Sequence, residues 1–189
     1  MLDLIKKIRT YPINKVLYIK QIECMNRLEL VRIEMDTILL NQENVNVRPD
    51  GYIHLYGVAQ NCSLLAIKRK LNIELCTIIG LLHDIYTYKI GYSKDHAMLG
   101  ATEAENLLKD LELFTEEEIE IIKTAISHHS DKKTIHDAYS ELLKDADVLQ
   151  NSLYASSFEV KHRKRLKKAY KNLGIKIKTK KIKESKEED

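Results

Sequence analysis

Ionisable side chains fall on apolar helical stripes again and again in this chain, and a core accepts such groups only where something pairs them. The segment GLLHDI ends an apolar run on His83-Asp84. Upstream, His54 recurs with Val58, Cys62, Leu65 and Ala66 at helical spacing, which puts its imidazole on the buried stripe. Downstream come His96, the His128-His129 pair, and Asp147 between Ala146 and Val148-Leu149. Any one of these alone reads as a packed, hydrogen-bonded core residue. The ordered set reads differently, because neutral imidazoles and carboxylates are what a divalent transition metal takes as ligands.

The periodicity is helical throughout. Val16, Leu17, Ile19, Ile22, Met25, Leu28, Val31, Met35, Ile38 and Leu39 follow i, i+3, i+4, i+7 spacing and predict one or two amphipathic helices over residues 14–40. Arg48-Pro49-Asp50-Gly51 signals a turn, with a helix opening near Tyr52. Asn72 is the expected N-cap of a helix running into His83-Asp84. Residues 86–94, with Gly91, read as a loop over the centre, and Asp95 as the cap of a helix from His96 to Leu108. Thr115 with Glu118 three later makes a capping box for a helix to His129, and Tyr139 to Leu153 is a further helix carrying Asp147. The expected class is all-α, a helical bundle with its site inside.

At 189 residues, with two Pro, six Gly and no Trp, the chain suits one helical domain with extensions. Cys24, Cys62 and Cys76 show no CxxC spacing and read as small core residues in a reducing cytosol. The first fifteen residues carry charges inside their apolar stretch, and no run of about 18 apolar residues occurs. A cytoplasmic protein that does not span a membrane is expected. Residues 161–189 hold 13 Lys/Arg against four acids, which leaves 18 against 24 in residues 1–160. With Tyr170 as its one aromatic, that basic end offers no stacking platform for nucleic acid and reads as a solvated helical extension.

The order His, His-Asp, His, His, Asp, with HLYGVA at His54, GLLHDI at His83-Asp84, DHAMLGA at His96, AISHHS at His128-His129 and KDADVLQ at Asp147, resembles the HD-domain superfamily of metal-dependent phosphohydrolases. The resemblance divides the chain into an N-terminal helical extension (1–50), the HD domain (51–160) and the basic tail (161–189). It implies that His54, His83, Asp84 and Asp147 bind one metal. His96 and one of the two following histidines supply the second, with Asp84 bridging. Iron is the metal implied first, with Mn, Co, Ni or Zn as alternatives. The closest subgroup is di-iron, and its activities include symmetrical hydrolysis of dinucleoside tetraphosphates.

His129 lies three after Ile126, the spacing of the family pattern, whereas His128 points about 100° away on an ideal helix. His129 is therefore the expected ligand, and His128 a phosphate contact. The family pattern of Ala-Asp followed by an apolar pair implies Asp147 rather than Asp145, which reads as a solvated or capping residue. Here the chain departs from the resemblance: many two-metal relatives place a lysine shortly after His-Asp, whereas the first lysine here is Lys89, five after Asp84. Lys94, Lys132 and Lys133 are the available phosphate holders, and Tyr86 and Tyr88 either stack on a base or cover the mouth. The reaction implied is attack on phosphorus in line by hydroxide shared between two metals, with Asp84, Lys94 and Lys132 as the catalytic set and a small phosphorylated or nucleotide substrate. Two other readings stay open: a di-iron oxygenase related to myo-inositol oxygenase, and a metal-binding regulatory module without turnover.

Overall fold

A computed structural model describes residues 26–44, 47–91, 94–154 and 162–176. Within them the chain runs through α1 (Arg27–Leu40), α2 (Val47–Arg69), α3 (Ile73–Leu82), α4 (Ile85–Ile90), α5 (His96–Leu111), α6 (Glu116–His128), α7 (Ala138–Tyr154) and α8 (Arg163–Leu173). The class is all-α, as the periodicity predicts. None of these helices is long and apolar enough to cross a membrane. Cys24 lies outside the described residues; Cys62 and Cys76 are buried free thiols.

α3 organises the rest. Its sequence IELCTIIGLL is apolar on every side, so it buries Leu75, Cys76, Ile78, Ile79, Leu81 and Leu82 together and packs against α1, α2, α6 and α7 at once. Its start is fixed by Asn72, whose side chain accepts from the Leu75 amide. α2 approaches α3 closely enough that a Cβ on Gly80 would stand 2.6 Å from Ala59 Cα. Only glycine lets these two helices meet at that distance. The α6 capping box forms in both directions, Thr115 accepting from Glu118 N and Glu118 from Thr115 N, worth about 1 kcal/mol.

The structure corrects the sequence reading at four places. α2 begins at Val47 rather than Tyr52, so Pro49 lies in its first turn and Gly51 just after it; proline is tolerated there because the first amides have no intrahelical acceptor to lose. Gly51 serves packing rather than a turn, since a Cβ would come within 2.6 Å of Leu39 and 2.9 Å of Tyr88. The expected loop after His83-Asp84 is helix α4, closed by Gly91 at φ 75°. Asp95 adopts a left-handed backbone and makes no side-chain cap bond.

The fourth correction concerns the basic end. Residues 163–173 are not a solvated extension: α8 buries Leu166 and Ala169 and packs on α2 and α7. Its lysines Lys164, Lys167, Lys168 and Lys171 face outward. Residues 177–189 lie outside the described part. α1 also joins the core, through Val31, Met35 and Leu39.

Arg27 at the start of α1 clamps two other helix starts. Its guanidinium donates to both Glu118 oxygens at 2.8 Å and to Glu74 Oε2 at 2.8 and 3.0 Å. The Arg27 hydrogen bonds hold the Glu118 carboxyl at about 2 instead of 4.5. Glu141 on α7 also sits at about 2: burial opposes its charge, but hydrogen bonds from Arg165 and Lys144 outweigh that. A carboxyl depressed in the folded state contributes stability that is present above its unfolded pKa and lost as pH falls through the folded one. Thermal stability is therefore expected to drop between about pH 5 and pH 2, and the double substitution Glu118→Gln, Glu141→Gln to flatten that drop. An unchanged acid slope in the double variant would show that neither carboxyl is responsible.

Candidate metal centre

Two helix ends supply the first pieces. His83 is the C-cap of α3 and His129 the C-cap of α6. His83 Nδ1 lies 2.8 Å from Gly80 O, and His129 Nδ1 lies 2.7 Å from Ile126 O. A carbonyl can only accept, so each Nδ1 carries the proton and each Nε2 presents a lone pair inward. Both rings are buried, at 0% and 3% exposure.

The other two imidazoles meet these lone pairs. His54 Nε2 on α2 stands 3.1 Å from His83 Nε2, and His96 Nε2 at the start of α5 stands 3.0 Å from His129 Nε2. Two ligands each about 2.1 Å from one metal at a right angle would be about 3.0 Å apart. Asp84 lies between the pairs. Its Oδ2 is 3.5 Å from His54 Nε2 and 3.4 Å from His83 Nε2, while its Oδ1 is 3.5 Å from His96 Nε2 and 3.3 Å from His129 Nε2. Oδ1 is buried and receives no hydrogen bond among the described residues. An orphaned carboxylate oxygen is costly unless a cation takes it. His54, His83 and Asp84 form one group of close donor atoms, and Asp84, His96 and His129 a second.

Asp147 adds a further carboxylate. Its Oδ1 is 3.7 Å from His54 Nε2 and accepts from Asn151 at 2.9 Å, while Oδ2 accepts from Lys132 at 2.5 Å. Burial raises the Asp84 and Asp147 carboxyls, but interactions with the neighbouring imidazoles, His83 foremost, for Asp84 and with the Lys132 ammonium for Asp147 outweigh it and hold both below the usual range. They stay ionised, which is the form a metal requires.

Residues 51–152 match the HD domain family, more than half of the chain. The chain belongs to the HD domain family. Members of this superfamily are metal-dependent hydrolases, generally phosphohydrolases, and bind divalent metals. Neither the curated proteins nor the solved structures contain a match to this HD-domain chain.

The remaining site residues are placed as follows. Lys132 reaches inward, donating to Asp147 and, at 2.6 Å, to His129 O. Lys94 and Lys133 are exposed, and Lys89 pairs with Glu103 at 2.5 Å. Tyr88 is buried and Tyr86 half-buried. His128 belongs to neither group of donor atoms and stacks on His136 with ring centres 3.8 Å apart. Burial, then His136, lowers its pKa.

Asp145 is the clear correction. It is neither solvated nor a cap but fully buried, held by Arg69 at 2.6 Å, Arg165 at 3.1 Å and Lys168 at 3.5 Å. Sequence reasoning also missed Asn151, Lys144 and Arg165 around the centre. The i, i+4 spacing of Asp147 and Asn151 was a usable signal for the first. The other two depend on chain segments that sequence spacing does not connect.

Proposed function

We propose that this HD-domain chain is a phosphohydrolase that cleaves a phosphate ester or nucleotide at a centre for two metals. One observation carries the reading: the two oxygens of Asp84 face different histidine pairs, His54 with His83 and His96 with His129. His54, His83, Asp84 and Asp147 would hold one metal, and His96, His129 and Asp84 the other. Divalent metals bound there supply Lewis acidity toward phosphoryl oxygens and acidify water at neutral pH.

The protein's own contribution is orientation. The Nδ1 bonds to Gly80 O and Ile126 O fix the two buried rings, and Asn151 and Lys132 fix the rotation of Asp147. Lys94 and Lys133, exposed near His96 and Lys132 in the chain, are the cations available to an anionic substrate.

The test is metal analysis of protein purified without chelator, then a phosphate-release screen over nucleotides, dinucleoside polyphosphates and sugar phosphates. Metal-dependent phosphate release, abolished in His83→Ala, is the expected result. Oxygen consumption without phosphate release would replace this reading with an oxygenase, and bound metal with neither activity would leave a binding module.

A further inference from the structure

Arg165 lies on α8, beyond the residues matched to the HD domain, and touches none of the candidate ligands. Its guanidinium nevertheless reaches the segment that joins α6 to α7. Nε donates to Lys132 O at 2.7 Å, Nη1 to Glu141 Oε2 at 2.8 Å and Asp145 Oδ1 at 3.1 Å, and Nη2 to Glu141 Oε1 at 3.3 Å. The side chain is largely buried. A second cation works beside it: Lys144, fully buried, donates to Thr134 O at 2.9 Å and to Glu141 Oε1 at 3.2 Å. Two carbonyls of the connection are thus tied to α7, Thr134 O directly by Lys144 and Lys132 O by Arg165 through Glu141 and Asp145.

What the tie controls is the side chain of Lys132. With its backbone held by Arg165, its ammonium donates to Asp147 Oδ2, leaving Oδ1 toward His54. A carboxylate has two equivalent oxygens, and the partner of one decides the direction of the other. We infer that Arg165 is a positioning residue for the centre, acting through Lys132 to aim Asp147 at the His54, His83, Asp84 group. The inference rests on the two-metal reading above. It also assigns a role at the centre to a helix outside the family match.

The experiment titrates the full chain with Co(II), following affinity and the visible spectrum. Arg165→Met is expected to weaken one of the two sites, by no more than the about ten- to a hundredfold that loss of a partner directly behind a ligand costs, and to leave the other unchanged. Asp147→Ala and Lys132→Met should weaken that same site, and Arg165→Lys should recover part of the affinity. Leu166→Ala removes buried apolar contact from α8 without touching the connection. It is expected to lower thermal stability while both sites keep wild-type affinity and spectrum.

Wild-type binding at both sites in folded Arg165→Met, or parallel weakening of both sites in Arg165→Met and Leu166→Ala, overturns the inference. If Arg165→Met does not fold, Arg165→Lys decides, and an unaltered spectrum and affinity there overturn it equally. Wild-type protein that binds no Co(II) would bring down the two-metal reading itself and this inference with it. Loss confined to the Arg165 variants leaves that reading intact.

Discussion

Asp84→Ala protein is expected to lose both metals together and with them all phosphate release. The other candidate ligands each belong to one group, so His54→Ala should impair one site and His96→Ala the other. Asp84 alone stands in both, Oδ2 within 3.5 Å of His54 and His83, Oδ1 within 3.5 Å of His96 and His129. The fold of the metal-free protein should be kept, because Oδ1 receives no hydrogen bond among the described residues and its loss leaves no donor stranded there. The combination is diagnostic: metal lost, fold kept. Full metal content in Asp84→Ala would show that Asp84 joins nothing.

Asp145→Ala should do the reverse, damaging the fold rather than removing a ligand. Asp145 is fully buried among Arg69, Arg165 and Lys168, and its loss strands cationic charge in the interface of α2, α7 and α8. Breaking a buried pair from one side costs about 3–5 kcal/mol, on the order of 10 °C in Tm for a chain of this size. Asp145→Asn, which keeps the shape and one acceptor, should cost less. A melting temperature within about 2 °C of wild type in Asp145→Ala would mean that the cluster is screened by water despite its burial.

The helices were legible because they rest on local spacing, and the candidate ligands because their order along the chain resembles that of a family. His129 was separated from His128 by its position three after Ile126, and the structure gives that spacing a physical meaning: it is the reach of an Nδ1–H to the Ile126 carbonyl. His83 repeats it with Gly80. Thr115 with Glu118, and Asn72 with the Leu75 amide, are equally local. What escaped the sequence was non-local. Asp145 read as solvated because its partners Arg69, Arg165 and Lys168 belong to other helices, and no spacing within α7 announces them. α8 read as a solvated extension for the same reason, since Lys164, Lys167, Lys168 and Lys171 dominate its composition while Leu166, Ala169 and Arg165 do the packing. Gly51 was misread through a turn rule that a close contact with Leu39 and Tyr88 overrides.

The two buried histidines also sit where backbone dipoles converge. α3 ends at His83 and α6 at His129, and a helix C-terminus carries roughly half a negative charge from its unpaired carbonyls. The starts of α4 beside Asp84 and of α5 at His96 bring the opposite dipole ends to the same place, so it is the ionised Asp84 and Asp147 that make the interior electronegative before any ion arrives. A phosphate approaching that interior meets repulsion until cations have entered. On the proposed reading, the two buried carboxylates therefore set the order of filling: metal first, substrate second, and no tight substrate binding to metal-free protein.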